Sequence, residues 1–242
     1  MRRAILSFTV CTALVVGCTT LTWSEDRDQE VKRVRSSAEV LTDIMKAPDK
    51  GIPQEIMESA KCVGVVPSLK KGGFVFGAEY GKGVASCRTG QGWSAPAPFT
   101  VAGGSWGLQI GGEAVDLVMI ITNDKGMQNL LSSKFKLGAD ASAAAGPVGR
   151  HVEGETDWKL RAEVLTYSRA RGIFAGLTLN GAVIAQDKDA TRAFYGKDTS
   201  FGSILKGEVP APSGSGPFLA AVRKFSAQAQ TAKANRKAEA RQ

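Results

Sequence analysis

Glycine punctuates the middle of this chain and limits the kind of fold that the chain can form. The sequence contains 28 glycines in 242 residues, and most of them separate short apolar runs between Cys62 and Ala185. Glycine at such a density is typical of tight turns and bulges. Because 43% of the residues are hydrophobic and 22% are charged, the composition is that of a folded globular protein. We therefore expect a β-rich body.

Two dipeptides predict hairpin turns within this body. Gly81-Lys82 separates strand-like runs at residues 73–80 and 83–88. Asn180-Gly181 lies between two further strand-like runs, and Asn-Gly is a strong signal for a two-residue turn. Both pairs of runs are therefore predicted to be antiparallel hairpins.

Proline residues and an apolar run predict where other strands end and whether they lie at the edge or the centre of the sheet. Residues 62–66 predict a short buried strand that Pro67 closes, and Pro96 with Pro98 predicts an edge strand or extended segment at 93–101. The apolar run from Val115 to Ile121 predicts a central strand with Asp116 as an inward polar exception.

Apolar residues spaced by three and four predict an N-terminal helix from Ser24 to Met45, with Ser24 as its cap and Pro48 as its end. Shorter helices are predicted after Pro53, at 125–134 and at 187–194. The expected fold class is α+β: one domain, residues 25–200, in which helices pack a curved or barrel-like antiparallel sheet. A Gly/Pro/Ser-rich linker at 201–217 and a basic C-terminal helix or tail at 218–242 would follow.

The first residues have the pattern of a targeting segment. Arg2 and Arg3 precede an apolar run at 4–16 that is too short for a permanent membrane span. Val15-Val16-Gly17-Cys18 resembles a bacterial lipobox, which predicts a signal peptide at 1–17, acylation of Cys18 with palmitate or a similar chain, and a tether at 18–24. The alternative is an ordinary secretory signal with an incidental cysteine. The lipobox predicts an outer-membrane lipoprotein at the periplasmic or surface face.

Two cysteines, Cys62 and Cys87, would remain in the mature domain. An extracytoplasmic compartment permits a disulfide between them, but small buried thiols are also common. Both interpretations stay open, and we favour buried thiols because the sequence does not show whether the two residues are close.

The formal charge of +8 is unevenly distributed. Residues 25–46 carry −1, residues 47–221 carry +2 and residues 222–242 carry +5. A nearly neutral body argues against nucleic acid as a partner. Electrostatic attraction to an anionic membrane would then be concentrated in the C-terminal tail.

Enzymatic chemistry has little support in the sequence. Residues 103–107 match the G-x-S-x-G pattern around Ser105, but strand-like sequence follows where a nucleophile elbow needs a helix, and His151 is the only histidine. We find no P-loop, no dinucleotide-binding fingerprint and no EF-hand spacing. We expect no catalytic residue, no metal site and no cofactor.

Several uncommon stretches point together to one family. They are GGFVFG at 72–77, GWSAP at 92–96, KFKLGADASAAAGPVGR at 134–150, YSRARG at 167–172 and FYG at 194–196. In this order and spacing they resemble the SYLF domain, a lipid-binding family found in eukaryotic actin-patch and endosomal proteins and in bacterial secreted proteins. The resemblance covers about residues 35–200. It implies binding of phosphoinositides or other anionic lipids, F-actin binding in some eukaryotic members, and neither enzymatic activity nor a cofactor.

The residues themselves predict where an anionic lipid would bind. Basic side chains at glycine-rich strand ends, and others that flank the stretch rich in Gly and Ala at 139–149 (the Gly/Ala stretch), are suited to a phosphate group. They are Lys70, Lys71, Lys82, Lys134, Lys136 and Arg150. The alternative is that Arg150 pairs with Asp140 or Asp116 and that the lysines are only solvated. Likewise, the Gly/Ala stretch could serve close backbone packing. Membrane lipid is thus the first expected partner, and a protein partner without a lipid ligand is the alternative.

Overall fold

The computed structural model describes residues 6–47, 51–73, 76–106, 111–147, 162–170, 173–176, 179 and 181–241. For residues 6–24, 73, 76, 105–106, 111–112 and 173–176 it describes the backbone alone. Six helices are present in these ranges: α1 (Leu6–Lys46), α2 (Gln54–Ser59), α3 (Asp124–Leu131), α4 (Lys188–Tyr195), α5 (Phe201–Leu205) and α6 (Gly216–Glu239).

Ten strands in the described residues form one curled sheet. They are β1 (Cys62–Gly73), β2 (Phe76–Thr89), β3 (Gly92–Trp93), β4 (Ala97–Trp106), β5 (Gly111–Ile121), β6 (Lys134–Lys136), β7 (Ala143–Ala145), β8 (Val164–Ala170), β9 (Ile173–Gly176) and β10 (Val183–Gln186). The order across the sheet is β6-β10-β4-β2-β1-β5-β8-β7, with β3 beside β2 and β9 beside β8. Neighbouring strands are antiparallel except for β7 and β8, which are parallel. The predicted α+β class with a curved, helix-packed sheet is confirmed.

The two faces of the sheet bury different apolar clusters. One face, called the helix-side face, carries Val63, Val65, Val84, Val118 and Ile120, which pack with residues of α1, α2, α4 and α6. The opposite face, called the inner face, lines the cluster that the curled strands enclose together with α3 and α5; it includes Leu69, Phe99, Val101, Leu117 and Met119. Alternation along each strand assigns successive side chains to opposite faces.

The predicted hairpin turn at Gly81-Lys82 is wrong, because both residues lie inside the continuous strand β2. Glycine is needed there for space. A Cβ atom at Gly81 would lie 2.5 Å from Val66 Cγ1, and one at Gly83 would lie 2.2 Å from the carbonyl oxygen of Val65. These glycines let β2 approach a bulge in β1 closely.

That bulge also explains why Pro67 does not end the strand. β1 continues to Gly73, and its register with both β2 and β5 shifts by one residue between Val66 and Leu69. Ser68 adopts a φ of 58°, and its N–H donates to Asp116 Oδ1 over 3.1 Å. The extra residue accommodates the proline, which cannot donate to a strand ladder.

Two other strand predictions also need correction. β4 is an interior strand between β2 and β10, and Pro98 is tolerated because the pairing of β4 with β10 begins only at Phe99. Gly181 has a φ of 89°, but β9 pairs with β8 while β10 pairs with β4 and β6, so no hairpin joins β9 to β10. By contrast, the prediction that β5 is a central strand is confirmed, since β5 lies between β1 and β8.

The observed helices agree with the predictions from the sequence more closely in the middle of the chain than at its ends. α4 has Asp187 as its N-cap and Gly196 in the left-handed conformation after its last turn. Ser24 is not a cap, because α1 already begins at Leu6. Pro48 lies outside the described residues. Among the described residues, no helix combines the length and the apolar character needed to cross a membrane.

The C-terminal part is packed against the rest of the domain. α5 lies within the predicted linker, and its Phe201, Ile204 and Leu205 are buried in the inner cluster. The basic helix α6 buries Phe218 and Val222 against the helix-side cluster. Beyond Ala229 it is held by ion pairs to α2, with Lys233 Nζ 2.7 Å from Glu58 Oε1 and Arg236 NH1 2.9 Å from Glu55 Oε1. The first part of α6 therefore belongs to the core.

Cys62 and Cys87 form a disulfide between register partners on β1 and β2. The preferred interpretation from the sequence, two free thiols, is therefore wrong, although both residues are buried as expected. The bridge closes a sequence separation of 25 residues. It links the beginning of β1 to the end of β2, at the end of the sheet that the helices cover.

The close contact at Gly83 generates a stability prediction. We expect Gly83→Ala to lower the free energy of unfolding by about 1–3 kcal/mol, because the new methyl group must displace the β1 backbone. Chemical denaturation would measure the change. Gly90→Ala is the matched control, since a Cβ there would meet nothing within 4 Å. Equal stability of the two variants would contradict the close approach of β1 and β2.

Candidate functional site

Register places four of the predicted lysines on the helix-side face. Directly opposed residues of antiparallel strands project to the same side of a sheet. One row crosses five strands in the order Lys70, Tyr80, Ala102, Val183, Lys136. The next row crosses four strands in the order Lys82, Thr100, Ala185, Lys134. We call these two rows the lysine face.

The first row of the lysine face is open to solvent. Tyr80 is 48% exposed, and it is the only exposed large hydrophobic side chain among the described residues. Ala102 beside it is small and exposed, as are Ala78 two positions away on β2 and Ala114 opposite Lys70. The helices cover the end of the helix-side face near Val63 and Val84 and leave this end bare.

Three lysines of this face are exposed and available. Lys70, Lys134 and Lys136 form no ion pair with any described residue. Lys134 and Lys136 lie two residues apart on β6 with the buried Phe135 between them, so both point away from the inner cluster. A solvated cation on a rigid strand can attract an anion at little conformational cost to the backbone.

Lys71 lies on the other side of the sheet. Its Nζ is 3.6 Å from Glu79 Oε2, and its side chain is only 20% exposed. The bulge in β1 determines which of the two adjacent lysines lies on which face, because it places Lys70 rather than Lys71 on the helix-side face. Lys71 is thus separated from the other predicted lysines although it is adjacent to Lys70 in the sequence.

Lys82 belongs to a partly buried group of charges beside α1. Its Nζ lies 2.7 Å from Asp187 Oδ2, and Asp187 Oδ1 also caps α4 by accepting from the Ala190 N–H. Burial opposes the charge on Lys82, but the hydrogen bond and charge of Asp187 outweigh that effect and raise the pKa of Lys82. Lys82 therefore serves the packing of α4 as well as the charge of the face.

Glu30 of α1 is the most buried acid in this group. It is 5% exposed, and Arg33 one turn later donates to its carboxylate. Burial raises the pKa of Glu30 above its usual value of 4.5; the charge and hydrogen bond of Arg33 oppose that rise, and the charge of Asp187 adds to it. Docking of α1 against the sheet therefore includes a carboxylate that is costly to keep ionised.

Arg150 lies outside the described residues, but both of its suggested partners have other contacts. Asp116 accepts from Arg169 NH2 over 2.6 Å and from the Ser68 N–H. Arg169 also pairs with Asp43 and so links α1 to the sheet. Asp140 Oδ2 accepts from the backbone N–H of Lys136 over 2.7 Å.

The described part of the Gly/Ala stretch is used for packing. A Cβ at Gly146 would lie 2.2 Å from the ring of Tyr167, so glycine is required where this segment crosses β8. The N–H groups of residues 137–141 all donate to carbonyls within the fold, which leaves none of them for an anion. Close packing therefore accounts for the described residues of the stretch.

The other chemical motifs do not assemble a site. Ser105 lies on strand β4 rather than on a strand-to-helix turn, and His151 is outside the described residues. Within the described ranges no group of three His, Cys, Asp or Glu side chains could hold a metal ion. Cys18 lies in the backbone-only part of α1, so its acylation stays a prediction.

Tyr80 is the site residue that the sequence reasoning missed. The sequence predicts Tyr80 at the end of a strand before a turn, where the direction of its side chain is not fixed. The available signal was its spacing from Lys82, since residues two apart on one strand share a face. The spacing of Tyr80 and Lys82 is informative only when Gly81 and Lys82 are recognised as part of a strand.

Comparison with known proteins identifies relatives of this fold. Residues 102–225 match the family model Ysc84, described as "Las17-binding protein actin regulator". The SH3 domain-containing YSC84-like protein 1 of Rattus norvegicus is 36% identical over 188 residues, which are 76% of this chain and 55% of the relative. Protein YSC84 of Saccharomyces cerevisiae is 31% identical over 194 residues, which are 76% of this chain and 41% of the relative. The chain thus spans about half the length of these curated relatives.

Glu30 generates a pH prediction. Because its folded-state pKa is raised, the folded protein holds this proton more tightly than the unfolded chain, and stability falls as pH rises from 4.5 through that pKa. The stability of the wild type relative to Glu30→Gln should therefore decrease from pH 4.5 toward neutral pH. Denaturation at several pH values would test this. Glu39→Gln, at an exposed position of the same helix, is the control. A pH-independent difference for Glu30→Gln would contradict the prediction.

Proposed function

The chain belongs to the Ysc84 family of SYLF-domain proteins, and on that premise we propose that it binds anionic lipid at a membrane surface through its lysine face. One observation carries the proposal: four of the five predicted lysines that the structure describes share one face. The protein acts as a binding module, with no catalytic step.

The charges of the lysine face support this function. Lys70, Lys134 and Lys136 are exposed and have no described ion-pair partner, so their charges are available to a ligand. A lysine near an anionic membrane surface contributes about 1 kcal/mol of attraction, which salt screens over about 10 Å. Lys82 adds a weaker contribution, because Asp187 already neutralises it.

A location in the bacterial envelope is part of the same proposal. Cys18 ends the apolar segment in a lipobox-like sequence, and its acyl chains would hold the domain at the outer membrane. The Cys62–Cys87 disulfide supports an oxidising compartment, because such bonds are rare where thiols are kept reduced. An acyl anchor would also keep the lysine face close to lipid.

Protein binding is the second candidate function, and the description of the matched family favours it. The match covers residues 102–225, which run from β4 to the buried first half of α6. A regulator of protein assembly could use the same body without any lipid ligand. Deleting residues 217–242 would not isolate this function, because Phe218 and Val222 belong to the core.

The lysine face generates a binding prediction. In vesicle flotation at low salt, Lys70→Ala/Lys134→Ala/Lys136→Ala should bind anionic vesicles with an affinity on the order of 100-fold lower, since three lysines contribute about 3 kcal/mol. Substitution of exposed lysines should leave the fold intact, which circular dichroism would verify.

Two controls distinguish the effect of where the lysines lie from the effect of the protein's net charge. Lys71→Ala removes a cation on the opposite face and should bind as the wild type does. Arg223→Ala/Lys237→Ala/Arg241→Ala removes the same number of charges from exposed positions in α6 and just after it, and should lose much less affinity. The proposal fails if the α6 variant loses as much affinity as the lysine-face variant, or if the wild type binds no anionic vesicle.

The anchor is tested separately. In a bacterial host, the wild type should fractionate with membranes and yield an acylated Cys18 peptide by mass spectrometry. Cys18→Ala should release the protein from that fraction into the extracytoplasmic soluble fraction, apart from salt-sensitive binding. A wild type that carries no lipid would exclude the lipoprotein assignment and leave the lysine face unaffected.

A further inference from the structure

We propose that the lysine face recognises an array of anionic headgroups at a bilayer surface, with Tyr80 at the lipid–water interface, and does not hold one headgroup stereospecifically. This inference rests on the proposed function and specifies its ligand. It follows from how far apart the two ends of the lysine face lie, from the exposure of Lys70, Lys134 and Lys136 on that face, and from the position of Tyr80.

The two ends of the lysine face lie farther apart than one headgroup spans, although Lys134 and Lys136 are neighbours on β6. Lys70 on β1 and Lys136 on β6 are separated by four strand steps, through β2, β4 and β10. At the usual strand spacing this is about 19 Å along the sheet. Lys82 and Lys134 are three steps apart, or about 14 Å. One phosphate cannot neutralise both ends of either row, whereas neighbouring lipids in a bilayer can.

The depression beside Lys136 does not bring these lysines together. The depression nearest to them, about 510 Å³ in volume, is lined by Lys136, Gly138, Ser142 and Gly181 together with three other residues. It includes none of the other lysines of the face. Lys136 is the one cation among its lining residues, and the N–H groups of residues 137–141 are already used.

Tyr80 occupies the position of an interfacial residue. It lies in the first row between Lys70 and Ala102 and is 48% exposed. Its small neighbours on the same face, Ala78 and Ala102, do not cover its ring. A tyrosine with an apolar ring and a polar hydroxyl favours the membrane–water interface. Tyr80 thus adds apolar contact to a face whose other exposed contributions are electrostatic.

The affinity of a surface of this kind depends on the charge density of the membrane. Each lysine meets whichever anionic lipid lies below it, so affinity depends on the fraction of anionic lipid and on salt. Headgroup identity has little effect at equal charge. A soluble headgroup cannot replace the bilayer, because it supplies neither several phosphates on one surface nor an interface for Tyr80.

The test compares vesicles with soluble headgroups. Vesicles of phosphatidylcholine would contain equal fractions of phosphatidylglycerol or phosphatidylserine, and competitors would be glycerol 3-phosphate and inorganic phosphate at millimolar concentration. We expect affinities for the two anionic vesicles within about threefold of each other, rising steeply with anionic fraction. We expect competition no greater than that of sodium chloride at equal ionic strength. Tyr80→Ser should weaken vesicle binding about five- to tenfold, and Ala78→Ser, beside it on the same face, should not.

The possible failures are distinguishable. Two results would contradict binding to an array of headgroups without contradicting the proposed function. One is specific competition by glycerol 3-phosphate or phosphate, and the other is a preference above about tenfold for one headgroup at equal charge. Unchanged binding by Tyr80→Ser would overturn the assigned role of the tyrosine. No binding to any anionic vesicle would overturn both the proposed function and this inference.

Discussion

The packing of α1 across one end of the helix-side face determines what the rest of the molecule can present. Its apolar residues, among them Val34, Leu41 and Ile44, bury the strand residues near the disulfide. Two polar contacts fix its position: Arg169 joins Asp43 to Asp116, and Glu30 lies beside the Lys82–Asp187 pair. Since the strands are longer than this covered area, the far end of the same face stays open. The exposed surface is therefore a consequence of the core.

The bulge in β1 decides which side chains reach that open surface. In an uninterrupted strand, Leu69 and Lys71 would share the face of Val65. The extra residue between Val66 and Leu69 instead turns Leu69 into the inner cluster and brings Lys70 to the helix-side face. Gly81 and Gly83 make room for the bulge, and Asp116 accepts from the N–H of Ser68. Packing and site composition thus depend on the same local irregularity.

This dependence explains how far the sequence could predict the structure. Capping and periodicity predicted α4 and the central position of β5, because those signals are local. Gly81-Lys82 was misread as a turn, since a glycine that makes room for another strand looks the same in the sequence as one that reverses the chain. The set of lysines could be chosen from the sequence. Its division between two faces could not, because one bulge inverts the alternation along β1. Tyr80 was missed for another reason, since the apparent turn at Gly81-Lys82 hides its place inside β2.

The distribution of charge in the folded chain differs from its distribution along the sequence. The charge of +5 in the C-terminal tail predicts that the tail dominates attraction to an anionic surface. Folding directs part of that charge inward, because Lys233 and Arg236 pair with Glu55 and Glu58 of α2. The body carries only +2 over residues 47–221, yet its acids neutralise lysines unequally: Glu79 holds Lys71 and Asp187 holds Lys82, while Lys70, Lys134 and Lys136 have no such described partner. A nearly neutral body can therefore still present a cationic surface, because sheet register selects which lysines remain available.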